Sequence, residues 1–212
     1  MRLSRGKFFK TRMAVLAAAA AGGGYALLVR PRMLSWGATD DEAVVPMPAD
    51  EVITNPKYTA NHAVTVNAPA SVVWSWLLRM AQGNDGFDGL NWLEKLLGLQ
   101  YEISAVDHGR HLVLGTPGSQ TEVFSEGKPF GTWTFMLTEI NAETTRLVAR
   151  SRIDFSRNFA GLVWNKYGLE PIRFMMEQRA LLQIKKRAES SVSAGGRPQE
   201  MAAVSEPAQA AA

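Results

Sequence analysis

Gly131-Thr132-Trp133-Thr134-Phe135-Met136-Leu137-Thr138 and, after a short break, Thr145-Arg146-Leu147-Val148-Ala149-Arg150-Ser151-Arg152-Ile153-Asp154 both alternate with a period of two. Trp133, Phe135 and Leu137 point to one side of a strand while Thr132, Thr134 and Thr138 point to the other. In the second run Leu147, Ala149, Ser151 and Ile153 form the inward set, and Arg146, Arg150, Arg152 and Asp154 share the opposite face. Asn141-Ala142-Glu143 between them reads as a hairpin. The two runs are therefore adjacent antiparallel strands with one apolar face.

Working outward, the same period appears upstream. Tyr101 to Val106 is a strand, His108-Gly109 its turn, and His111 to Leu114 the next strand. Glu122 to Ser125 reads as a further strand, joined to the one near Gly131 through Glu126-Gly127-Lys128-Pro129. Before these, Ala63-Val64-Thr65-Val66 alternates and is stopped by Asn67-Ala68-Pro69-Ala70. Val72, Val73, Trp74, Trp76, Leu77 and Met80 then recur at helical spacing, with Pro69 suited to the first turn. Gly83 to Gly89 is a loop, and Asn91 to Leu97 a second short helix closed by Gly98. Downstream, Phe159 to Glu189 is helical, with Pro171 opening its long straight part.

Outside this core the composition changes. Five basic residues (Arg2, Arg5, Lys7, Lys10, Arg12) lie before Met13 and no acidic residue comes before Asp40, so the net charge of +3 reflects the start of the chain. It does not imply a nucleic-acid face. Met13 to Val29 is 17 residues without a charge. As a helix it spans roughly 26 Å, slightly short of a hydrocarbon core of about 30 Å. The positive-inside rule makes it a single-pass anchor with the domain on the extracytoplasmic side. The basic start and the triplet Gly24-Tyr25-Ala26 also fit a signal peptide cleaved on export. Pro31, Pro46, Pro48 and Pro56, with Asp40, Asp41, Glu42, Asp50 and Glu51, mark residues 30–57 as a solvated linker. Residues 190–212 hold almost no large apolar side chain and are expected to be disordered. The expected organisation is thus a basic start (1–12), a transmembrane or signal-anchor helix (13–29), the linker (30–57), one folded domain (58–189) and a tail.

The chain has no cysteine, which removes disulfides, thiol nucleophiles and Cys-type zinc sites. With 46% hydrophobic and 20% charged residues it has the composition of an ordinary globular domain. His108 and His111 would project to opposite faces of a hairpin and read as surface histidines. Asp85 and Asp88 read as loop residues and Glu94 as part of a solvated helix face. No spacing identifies a general acid or base. No nucleotide loop, catalytic residue, metal ligand or cofactor is therefore assigned.

The order of strand, two helices, antiparallel meander and long C-terminal helix is the helix-grip order. Trp36-Gly37-Ala38-Thr39-Asp40-Asp41-Glu42 followed by Pro46, Val64-Thr65-Val66-Asn67-Ala68-Pro69 and Asn91-Trp92-Leu93-Glu94 resemble the START-like (SRPBCC) superfamily in its membrane-anchored bacterial form. So do Gln82-Gly83 with Gly86-Phe87, Trp133-Thr134-Phe135, Arg150-Ser151-Arg152, Glu170-Pro171 and Met176-Glu177-Gln178-Arg179. The resemblance covers roughly residues 34 to 188. One departure is that Gly98-Leu99 runs almost straight into Tyr101-Glu102-Ile103, where that superfamily usually carries a further strand and turn. The resemblance implies an α+β helix-grip (START-like, Bet v 1-like) fold with an apolar cavity between a curved sheet and the last helix. It also implies kinship with lipid-transfer domains and polyketide cyclases and dehydrases, although such a fold does not fix a reaction.

The expected ligand is a hydrophobic small molecule or lipid, taken up at a membrane without catalysis. A cyclase- or dehydratase-like enzyme, and a protein-interaction domain with a vestigial cavity, are the alternatives. The candidate cavity residues are Trp76, Trp92, Trp133, Phe135, Arg150, Phe174 and Met175. Trp133 and Phe135 either line a cavity or fill a core, and Phe174 and Met175 raise the same question. Arg150 is included for the case in which it turns inward to meet an anionic head group.

Overall fold

In the computed structural model, which describes residues 5–82, 101–116, 130–155 and 159–195, the two alternating runs pair in the expected register. Strands β1 (Tyr58–Val66), β2 (Glu102–Asp107), β3 (His111–Gly115), β4 (Phe130–Asn141) and β5 (Thr144–Asp154) form one antiparallel sheet in the order β1-β5-β4-β3-β2. Trp133 pairs with Ser151, Phe135 with Ala149 and Leu137 with Leu147. Ala60 and Val64 of β1 and Leu112 and Leu114 of β3 continue this face across the sheet. It is the core face. Tyr58, Trp133, Phe135, Leu112, Leu147 and Ile153 are almost completely buried there.

Two helices cover that face. Helix α4 (Ala70–Ala81) starts after Pro69 and buries Val72, Val73, Trp74, Leu77, Leu78 and Met80. The last helix, α6 (Glu170–Ser193), has Pro171 in its first turn and buries Met176, Ala180, Ile184 and Ala188 at intervals of four. It lies on β1 and α4. Helix α5 (Phe159–Trp164) leads into it through a π turn, Asn165–Leu169. The second short helix (91–97), the strand at 122–125 and the loop 83–89 fall outside the described residues.

The proline- and acid-rich segment is packed where the sequence suggested solvent. Residues 38–53, including helix α3 (Asp40–Val44), form a strap across the outer face of the sheet. Met47 is buried with Ala63 and Val148. The Ala63 amide donates to the Trp36 carbonyl (3.1 Å), and the Thr134 hydroxyl donates to the Pro48 carbonyl (3.0 Å). Asp40, Asp41 and Glu51 are exposed as expected, but Glu42 and Asp50 meet arginines of β5. Arg146 is forked on Glu42 (2.7 and 2.8 Å), and both Arg150 and Arg152 reach Asp50. Gly37 turns the strap onto the sheet with φ +72°, and a Cβ there would lie 2.1 Å from the Ala63 carbonyl oxygen. Only glycine fits that approach.

The N-terminal segment also differs from expectation. It is helical, as α1 (Arg5–Gly24), a π turn (Tyr25–Val29) and α2 (Arg30–Leu34). However, no helix among the described residues is long and apolar enough to cross a membrane. Alanine and glycine contribute too little apolar surface, and basic residues occupy the first turns of α1. The far end of this segment docks on the domain. Arg30 holds Glu170 through two hydrogen bonds (2.6 and 3.0 Å), and the Tyr25 hydroxyl donates to the Lys166 carbonyl.

Candidate functional site

The inner face is apolar at one end of the sheet and polar at the other. Trp133 and Phe135 lie 4.7 Å apart between ring centroids, and Tyr101 lies 6.0 Å from Trp133. Leu112 and Leu114 carry the apolar wall onward to their partners Val106 and Ile103 on β2, which are exposed. Toward β1 the wall becomes ionisable. Tyr58 and His62 share the face of Ala60 and Val64, and α6 sets Glu170, Arg173 and Glu177 opposite them, one turn apart from each other. All five side chains are nearly inaccessible.

The hydrogen bonding of this cluster is incomplete. His62 Nε2 donates to the Met33 carbonyl (2.8 Å), and Nδ1 lies 2.9 Å from Glu177 Oε2, an ion-pair contact without a well-aligned hydrogen bond. Burial disfavours the imidazolium, but the Glu177 carboxylate and the Met33 carbonyl outweigh it, and the His62 pKa is raised. Arg173 donates to Asn165 Oδ1 (3.1 Å) and stands over the Tyr58 ring at 5.6 Å, and burial holds its pKa below the ordinary arginine value. Burial, followed by the nearby Glu177 charge, pushes the Tyr58 phenol well up. Tyr58 Oη, Trp133 Nε1, Ser151 Oγ and Arg173 Nε are buried and have no hydrogen-bond partner among the described residues. Folded proteins rarely leave several such groups together unpaired.

The sequence-derived candidates are scattered. Trp133 and Phe135 are on the inner wall. Phe174 is half-buried near the β1 edge, edge-on to Trp36 and His62 at 6.3 and 5.6 Å, where it covers the histidine. Trp76 is away from the wall, between Arg79 and Arg187, and its indole donates to Ser191 Oγ (3.1 Å). Met175 is 59% exposed and points away from the core, one position before the buried Met176. Trp92 falls outside the described residues. Arg150 must be corrected most fully, because it lies on the outer face beneath the strap. Its donors go to Asn61, Asp50 and the carbonyls of Glu42, Ala43 and Val45, at 2.6–3.0 Å. A guanidinium has five N–H groups, and all five are used, so none is left for a ligand.

The residues that the sequence reading missed are Tyr58, His62, Glu170, Arg173 and Glu177. One signal was available. Glu170, Arg173 and Glu177 fall on the helical stripe that also carries Met176, Ala180 and Ile184. Among the described residues no group of three or more His, Asp or Glu side chains is arranged to hold a metal. His108 is exposed, as expected, and accepts the Trp74 indole N–H at 3.0 Å.

A five-stranded antiparallel sheet gripping a long C-terminal helix, with α4 inserted after the first strand, decides the architecture. It is a helix-grip fold. No family model matches the sequence, and no curated protein matches it. Among solved structures the chain is similar to a conserved protein from Geobacillus kaustophilus (14% identity, TM-score 0.41, covering 63% of this chain and 97% of the other). It is also similar to the Zhui aromatase/cyclase from Streptomyces sp. R1128 (18%, 0.38, 66% and 99%). A third similar structure is the Aha1 dimer from Colwellia psychrerythraea (10%, 0.40, 62% and 96%).

Proposed function

We propose that the protein binds an apolar small molecule or lipid against the inner face of its sheet, without transforming it. The observation that carries this reading is the apolar wall from buried Trp133 and Phe135 through Leu112 and Leu114 to Val106 and Ile103, which stay exposed at the β2 edge. Helix α6 rests on β1 and α4, at the opposite side of the sheet. An apolar guest entering at the β2 edge meets side chains that already lack water, and each buried methylene contributes about 0.8 kcal/mol.

A cyclase- or dehydratase-like reaction is the second reading, and the buried His62–Glu177 pair is the observation in its favour. Both ring nitrogens of His62 are engaged by protein atoms, which favours a structural role over proton transfer to a guest. The same proposal includes contact with a membrane surface, supported by the basic start of the chain and by exposed Met13 and Leu16 on α1. Co-sedimentation with vesicles containing anionic lipid, lost when Arg5, Lys7, Lys10 and Arg12 are changed to Gln, tests it; binding that is unchanged by those substitutions overturns it.

The main reading is tested by native mass spectrometry of the full chain, with extraction of whatever co-purifies. A stoichiometric apolar molecule released only by denaturation is expected. A protein that carries nothing and gains no thermal stability from a lipid panel would refute the reading.

A further inference from the structure

The apolar wall ends, toward β1, in a group of side chains that a plain core would not contain. Trp133 Nε1 and Arg173 Nε can only donate, and Tyr58 Oη and Ser151 Oγ can donate. All four are buried without an acceptor among the described residues, and all belong to the inner face of the sheet or to the helix opposite it. Trp133 and Ser151 are cross-strand partners, Tyr58 lies diagonally from Ser151 on β1, and Arg173 stands over the Tyr58 ring.

The formal charges are also unbalanced. Arg30 is paired with Glu170, and His62 with Glu177. Arg173, 1% exposed, has no ion-pair partner among the described residues. With His62 charged, the buried Arg173 and His62 and the partly exposed Arg30 stand beside two buried carboxylates, and a further anion would balance the buried guanidinium.

We propose that Arg173, Tyr58, Trp133 and Ser151 form a subsite for an anionic, acceptor-rich oxygen group, such as a carboxylate or phosphate, at one end of the apolar ligand. The inference rests on the proposed function and specifies the ligand further: an amphiphile whose chain lies along Trp133, Phe135, Leu112 and Leu114 and whose head reaches Arg173. The head accepts from Arg173 Nε and from the indole, phenol and serine hydroxyl, and its charge balances the guanidinium.

The test is calorimetry on the full chain with decanoate, decyl phosphate, methyl decanoate and 1-decanol, at a pH where decanoate is ionised. At least one of the two anions is expected to bind at least tenfold more tightly than the ester and the alcohol, and which anion leads tells a carboxylate head from a phosphate. Arg173→Met is expected to weaken the preferred anion at least tenfold and to leave the ester within twofold. Tyr58→Phe is expected to weaken the anion severalfold while raising the melting temperature of the ligand-free protein, because it removes an unpaired buried hydroxyl. Anions, ester and alcohol binding alike would overturn the subsite and leave the apolar site intact, whereas no binding by any of them would overturn both. If Arg173→Met does not fold, Tyr58→Phe and Ser151→Ala decide, and unchanged anion affinity in both would overturn the proposal.

Discussion

Replacing Arg150 with methionine should detach the strap from the outer face of the sheet. The guanidinium is 4% exposed and spends all five N–H groups on Asn61, Asp50 and three carbonyls of the strap. Methionine fills most of the volume but donates nothing, so the carbonyls of Glu42, Ala43 and Val45 lose this donor. Asp50 keeps Arg152 at 3.3 Å. Breaking a buried ion pair from one side costs roughly 3–5 kcal/mol. Val44 and Val45 are exposed, so the strap can lift and its carbonyls rehydrate, which limits the loss to the lower part of that range. The expected effect is about 3 kcal/mol in urea denaturation followed by tryptophan fluorescence, or a fall of about 10 °C in Tm. Arg150→Lys keeps the charge but has three donors for five acceptors, and should lose about half as much. A loss below about 1 kcal/mol would refute the reasoning, as would weakened ligand binding at unchanged stability, which would place Arg150 at the ligand.

Gly37→Ala sets a Cβ against the Ala63 carbonyl at positive φ and should cost about 3 kcal/mol, measured in the same way. Because the folded pKa of His62 is raised, its contribution is complete below the unfolded value near 6.5 and is lost as pH rises through the folded one. Thermal stability should therefore fall as pH is raised above about 6.5. Glu177 is the ionisable group against the imidazole, and His62→Gln should flatten the profile between pH 6 and 8. Arg30→Met leaves the buried Glu170 without its forked partner. It should destabilise the domain by about 3 kcal/mol and expose residues 5–34 to limited proteolysis, while Glu170→Gln in the same chain should recover part of the loss.

The sheet was legible because its pattern is local. Along β4 and β5 the period of two assigns Trp133, Phe135, Leu147 and Ala149 to one face without knowledge of any partner. The last helix was legible for the same reason. The start of β1 was not, since the alternation of Tyr58 and Ala60 with Thr59 and Asn61 ends on His62, whose burial depends on Glu177, 115 residues later, and on Trp36 and Phe174. The strap was misread because the partners of Glu42 and Asp50 lie about a hundred residues away on β5, and proline and acid content alone describes solvent. Met175 and Met176 cannot be separated by composition. A single position turns a helix by about 100°, and the packing against β1 selects the second. The polar subsite follows the same logic: charged residues on a buried helical stripe are visible in sequence, but their pairing is not.

The most direct measurement of the central claim is the tryptophan indole N–H spectrum of the 15N-labelled full chain during titration with decanoate. The chain has six tryptophans, and the Trp133 indole is buried on the inner wall with no acceptor among the described residues. The account predicts a large, saturable downfield shift of the Trp133 signal, assigned through Trp133→Phe, with little change in Trp164, which is exposed on α5. Shifts confined to Trp164, or an unmoved Trp133 signal at saturating decanoate, would contradict it.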